Sequence, residues 1–233
     1  MEKNEFQLPQ MIKKLHTRLL VMYAAASTAL DDSVASLVAA DKDAAVAILD
    51  GDGEINALET EIDDIALSIL VRTQAVAGDL RLVVGALRII NDLERIGDES
   101  AVMAERVVLA DAGECAVIGE INESLFALAQ KCMRQASHAF KEGDVEAAIR
   151  LCKASADIAQ AEVGVVREVI NRMAGCDGAI TPEVAIHSII VCRSLIRICR
   201  RAVNLAEHTF FIRTGGNLKH ADLTKLAEER RET

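Results

Sequence analysis

The sequence predicts an all-α protein made of two tandem three-helix bundles, related by an internal repeat, with long antiparallel helices. Three observations carry this. Alanine, leucine, valine and isoleucine dominate a chain of 233 residues with two prolines, no tryptophan and one tyrosine, Tyr23. Helical proteins that pack aliphatic side chains have this composition. Apolar residues recur at helical spacing over long stretches. The second half also repeats the first. A shift of 102 residues lays Leu93 on Leu195, Arg95 on Arg197, Ile96 on Ile198, Ala104 on Ala206 and Glu105 on Glu207. A period this long marks a duplicated bundle, not a solenoid of short units. The first repeat covers residues 1–113 and the second 114–233, including a short charged tail.

The first helix reads from about residue 8 to 40, with Pro9 at its start, where proline is tolerated. Leu8, Leu15, Met22 and Ala29 alternate with Ile12, Leu19 and Ala26 in a heptad seam. The second runs over 41–74, with Ile55, Leu58, Ile62, Ile65 and Ile69 on one face. Gly51 and Gly53 inside it predict a bend. The third spans about 79–111 and is closed by Ala112-Gly113. The second repeat follows the same plan at about 114–141, 144–174 and 182–212. Thr181-Pro182 is a strong start signal, a threonine cap with proline at the first helical position. At 1.5 Å per residue, helices of this size are ~45–50 Å long.

Charge narrows the class of partner. The net charge is −10, and all of that excess sits in the first repeat. An acidic half beside a neutral one argues against nucleic acid. The opening residues 1–7 are polar and acidic, so no signal peptide is expected. The longest uncharged helical run, 19–30, is too short to span a bilayer. A cytoplasmic location follows as the expectation. Six cysteines (115, 132, 152, 176, 192 and 199) show no metal-finger spacing and read as small buried hydrophobes in a reducing compartment.

The chemistry concentrates in Asn91-Asp-Leu-Glu-Arg-Ile-Gly-Asp-Glu99. Leu80, Val84, Leu87, Asn91, Glu94, Asp98 and Ala101 form one helical stripe that begins as core and turns acidic. Glu94 and Asp98, one turn apart, repel each other, and a metal ion or an arginine is needed to offset that repulsion. Oxygen ligands at this spacing suit a hard cation. Asp92, Arg95 and Glu99 lie on another face, and the pairs Arg88 with Asp92 and Arg95 with Glu99 predict a solvated, salt-bridged flank, with Arg95 a candidate partner contact. Glu54 and Glu61 are weaker metal candidates. Asp50-Gly-Asp-Gly-Glu54 with Glu61 imitates a calcium loop but lacks the glycine at its sixth position, where Ile55 stands. In the second repeat Ile196 and Arg200 replace Glu94 and Asp98, so no second acidic cluster can form. Arg193, Arg197, Arg200 and Arg201 make a basic patch, either paired with carboxylates or open to an anion or acidic partner. The five histidines are scattered, no residue set suggests nucleophilic catalysis, and there is no phosphate-binding glycine loop.

From Gln74-Ala-Val-Ala-Gly-Asp-Leu-Arg81 and Asn91 to Asp98, then Leu195 to Glu207 and Gly215 to His220, the chain resembles the PhoU family of phosphate-signalling proteins over nearly its full length. Ala75 stands where that family usually has proline, and the second acidic motif is missing. The resemblance implies a cytoplasmic, homodimeric, non-enzymatic negative regulator. It would couple a phosphate ABC transporter, through its ATPase subunit, to a sensor histidine kinase, touching the membrane only through those partners. It also implies a divalent or iron-type metal at the first motif. A helical-bundle metal-storage protein is one rival; it predicts Glu-x-x-His ligands, which the chain lacks. An adaptor for another transporter is the other.

Overall fold

A computed structural model describes residues 7–72, 75–175 and 179–218. Gln74, Cys176, His220 and the charged tail lie outside them. Helix α1 spans Gln7–Ala39, α2 Lys42–Arg72, α3 Ala77–Leu109, α4 Ala112–Glu142, α5 Val145–Lys153, α6 Ser155–Met173 and α7 Pro182–Thr214. Among the described residues there is no strand, and no helix is long and apolar enough to cross a membrane.

The α1 seam packs as its heptad pattern predicts: Leu15, Leu19, Met22 and Ala26 are fully buried. The isoleucine and leucine face of α2 is buried as well, and the helix continues through Gly51 and Gly53. On α3 the expected stripe is displaced. The core face is Val83, Ala86, Ile90, Leu93, Ile96, Met103, Ala104 and Val107, while Leu80 and Asn91 are exposed. The Glu94–Asp98 stripe therefore runs along the bundle margin and does not emerge from the core.

The fifth predicted helix is divided at Ala154. There the Ala154 N–H bonds Leu151 O at 3.0 Å and the Ser155 hydroxyl donates to Cys152 O at 3.0 Å. A serine that takes a carbonyl from the helical ladder loosens it, and the tighter i to i−3 bond turns the chain. The break lets α5 bury Val145, Ala148, Ile149, Leu151 and Cys152, while α6 skims the surface on Ile158, Val165 and Val169.

The two interhelical turns of matching position are built alike. Ala40 (φ 51°) and Gly143 (φ 65°) each hold the left-handed conformation before an aspartate cap. Asp41 accepts from Ala44 N at 2.9 Å, and Asp144 from Ala147 N at 2.8 Å. Asp111 and Glu114 form a reciprocal capping box at α4, and Thr181 caps α7 with Pro182 behind it.

Helices α3 and α7 are central and run antiparallel against each other. Their approach is tightest at Gly85: a Cβ there would fall 2.4 Å from Ile212 Cγ1, so Ile212 occupies the space glycine leaves. Buried aliphatic residues from both repeats merge into one core. The five described cysteines are buried and unbridged.

Candidate functional site

The two motif copies lie on the two central helices, and the fold sets them against each other. Asp92 is in step with Ile89, Ile96 and Met103, so its side chain turns inward and is only 4% exposed. Burial raises its pKa, but hydrogen bonds from His208, Arg201 and Asn204 outweigh that and hold the carboxyl below the usual aspartate range. Arg201 Nη1 lies 2.8 Å from Oδ1, Asn204 Nδ2 3.3 Å from Oδ1, and His208 Nε2 3.0 Å from Oδ2. Glu99 is the second link: Arg197 Nη2 donates to its Oε2 at 2.7 Å. Arg88, expected beside Asp92, instead covers the Phe211 ring at 5.1 Å.

The solvated flank predicted for Asp92 and Glu99 is therefore corrected. Both carboxylates are committed across the seam between repeats. The reason is helical phase: Asp92 shares the core stripe, and the motif's second copy supplies the cations that make its burial tolerable.

Arg95 stays on its own helix. Its Nη1 lies 2.9 Å from Asp98 Oδ2 and its Nε 3.3 Å from Glu94 Oε2. The three residues form one compact group at the margin, with Glu94 the more buried. Repeat symmetry explains why Arg95 does not cross. The counterpart of the Glu99–Arg197 contact is Arg95 against Arg201, two cations, so Arg201 turns to Asp92 and Arg95 to Glu94 and Asp98.

The remaining candidates are dispersed. Glu61 pairs with Lys14 at 3.4 Å and Arg18 at 2.6 Å, and the Arg18 hydrogen bond lowers its pKa. Glu54 is exposed and opens on a groove of about 710 Å³ between α1, α2 and α3 that Gly97 and Ala101 also line. Arg200 pairs with Glu162 at 2.9 Å, and Arg193 is exposed. Among the described residues no three histidine, cysteine, aspartate or glutamate side chains form a metal-binding group.

A family model described as the PhoU domain matches residues 19–107 and again 123–209. The chain belongs to the PhoU family. Its similarity to the phosphate-specific transport system accessory protein PhoU homolog of Pseudomonas aeruginosa is 30% identity over 219 residues, covering 94% of this chain and 90% of the relative. PhoU homolog 1 of Thermotoga maritima, named for the same system, is 33% identical over 195 residues, 83% of each chain. The crystal structure of PhoU from P. aeruginosa superposes with a TM-score of 0.80 at 27% identity, over 89% of this chain and 99% of that one. A Streptococcus pneumoniae PhoU structure, at 20% identity and a TM-score of 0.82 over 91% and 99%, shares the fold.

Proposed function

We propose that this protein is an accessory regulator of phosphate transport. It restrains uptake and starvation signalling by contacts with a transporter ATPase subunit and a sensor histidine kinase, as a cytoplasmic homodimer and without catalysis of its own. The observation that supports this reading most is kinship over nearly the whole chain with proteins named for the phosphate-specific transport system. The fused architecture suits a contact protein, because α3 and α7 brace both repeats and leave α1, α2 and α6 on the outside. Deleting the gene and assaying starvation-gene output at high phosphate tests it: derepression is expected, and unchanged output overturns it.

Glu94 and Asp98 carry a second, narrower reading, a single cation per chain. They supply two oxygens one turn apart, short of the six to eight a calcium ion takes, and Arg95 already neutralises both. A cation held here displaces Arg95 and completes its shell from water or another chain. Equilibrium dialysis with manganese and zinc is expected to give at most one site per chain, lost in Asp98→Asn. Two equivalent sites would sink the asymmetry.

A further inference from the structure

Where α7 ends and α3 begins, the bundle forms a half-open cavity of about 420 Å³ lined by His16, Asp79, Arg81, Phe140, Thr209 and Arg213, with Arg213 exposed at its rim. Both guanidiniums are positioned by the fold. Arg81 Nε donates to Ile212 O at 3.2 Å, which leaves its two terminal nitrogens for another acceptor. Arg213 lies over Gly143, where a Cβ would fall 1.9 Å from Nη2, so that glycine makes room for it. His16 stacks on Phe140 at 5.1 Å and forms the aromatic wall.

Neither guanidinium has a carboxylate partner among the described residues, a state they share with Arg88 and Arg193, but unlike those two both line the cavity. Asp79 lines the cavity without forming an ion pair to either. Arg81 caps the last turn of α7 through Nε alone, since the Gly215 N–H takes Phe211 O and not Ile212 O, and the last turn of α4 is already bonded by Gly143 N, which leaves Arg213 no capping role. At the opposite end of the bundle one ammonium suffices, with Lys42 Nζ bonded to Val108 O at 2.9 Å.

The repeat supplies a built-in control. The counterparts of His16, Phe140, Arg81 and Arg213 are Ile118, Val38, Glu183 and Asp111. The packing frame thus accepts carboxylates and aliphatics where this end carries cations and aromatics. The cation pair belongs to this cavity and not to the fold.

We infer that the cavity binds a small oxyanion of the phosphate class, held by the terminal nitrogens of Arg81 and Arg213. Guanidinium forks match tetrahedral oxyanions, and the adjacent first turn of α3 adds its positive end. The volume leaves room beside the anion for a small organic group against His16 and Phe140. The shared chemistry is the phosphoryl oxygen set, free or carried. The cavity supports this assignment whatever pathway the chain serves.

Calorimetry on the full chain tests it, with inorganic phosphate and with a nucleoside monophosphate as probes at constant ionic strength. One saturable site per chain is expected. Arg81→Gln and Arg213→Gln should each weaken binding by about ten-fold or more, the loss typical of one hydrogen bond to a charged group, while Arg193→Gln leaves it unaltered. Tighter binding of phosphate marks a free-anion site; tighter binding of the nucleotide marks a carried phosphoryl group. No saturable heat with either probe, or unchanged affinity in both cavity variants, overturns the assignment. The wild-type protein gives a check that needs no folded variant. Burial and the Arg213 charge hold the His16 pKa below its ordinary value, and saturating phosphate should raise it in an NMR titration. A stationary His16 overturns the assignment as well.

Discussion

The copies of one motif on α3 and α7 have taken opposite charges, and each is explained by the other. On α3 the motif offers Asp92 and Glu99; on α7 it offers Arg197 and Arg201, which meet them across the seam. Two copies of the first repeat would have set Asp92 against a glutamate twice, and two copies of the second would have set Arg197 against Arg201 twice. Divergence removed that penalty at Asp92 and left Arg95 to serve the marginal carboxylates. A residue's role here depends less on its position in the repeat than on what the other repeat puts opposite it.

The largest effect should come from breaking the clasp. Asp92→Ala leaves Arg201 and His208 without their shared acceptor and should cost about 2–3 kcal/mol, below the range for fully buried pairs because Arg201 is partly exposed. Its counterpart Ser194→Ala should cost about 1 kcal/mol or less, since Ser194 offers Arg197 only a long 3.4 Å contact. Urea denaturation of both variants measures the contrast.

The clasp also predicts an acid limb. The folded pKa of Asp92 is depressed, so its contribution is fully present above the unfolded value of about 4 and is lost as pH falls through the folded value. Wild-type protein should lose more stability than Asp92→Asn as pH falls below about 4. Melting curves across that range decide it; parallel losses would remove Asp92 from the account.

The matched turns invite a reciprocal exchange. Gly143→Ala combines a left-handed backbone with a clash against Arg213 and should cost about 1–2 kcal/mol. The Glu99–Arg197 link, more exposed than the clasp, should show a coupling of about 0.5–1 kcal/mol in a double-mutant cycle. Ala40→Gly relieves the same strained conformation without a clash and should gain about 0.5 kcal/mol, the small net of relief against added chain entropy.

The helices were legible because apolar spacing sets them, and the seam of α1 and the face of α2 pack as read. The repeat was legible because Leu93, Arg95 and Ile96 recur in frame. What the sequence hid was phase and partnership. Asp92 shared its stripe with Ile89 and Ile96, a signal that was present, but a buried aspartate is plausible only once Arg201 and His208 are known to face it. The α5–α6 break was hidden because Ala154-Ser155 carries no proline or glycine. The cavity arginines were invisible as a pair because 132 residues separate Arg81 from Arg213.

The register of α3 against α7 also decides what each half could do without the other. Against a second copy of itself, the first repeat would bring Arg95 to Glu99 twice, but it would also set the buried Asp92 against Glu99 twice, so attraction at one contact meets repulsion at the other. The second repeat against its own copy would bring Arg197 to Arg201 twice, a doubled repulsion. Neither half suits its own twin: the acidic half needs Arg201 and His208 at Asp92, and the basic half needs a carboxylate opposite Arg197.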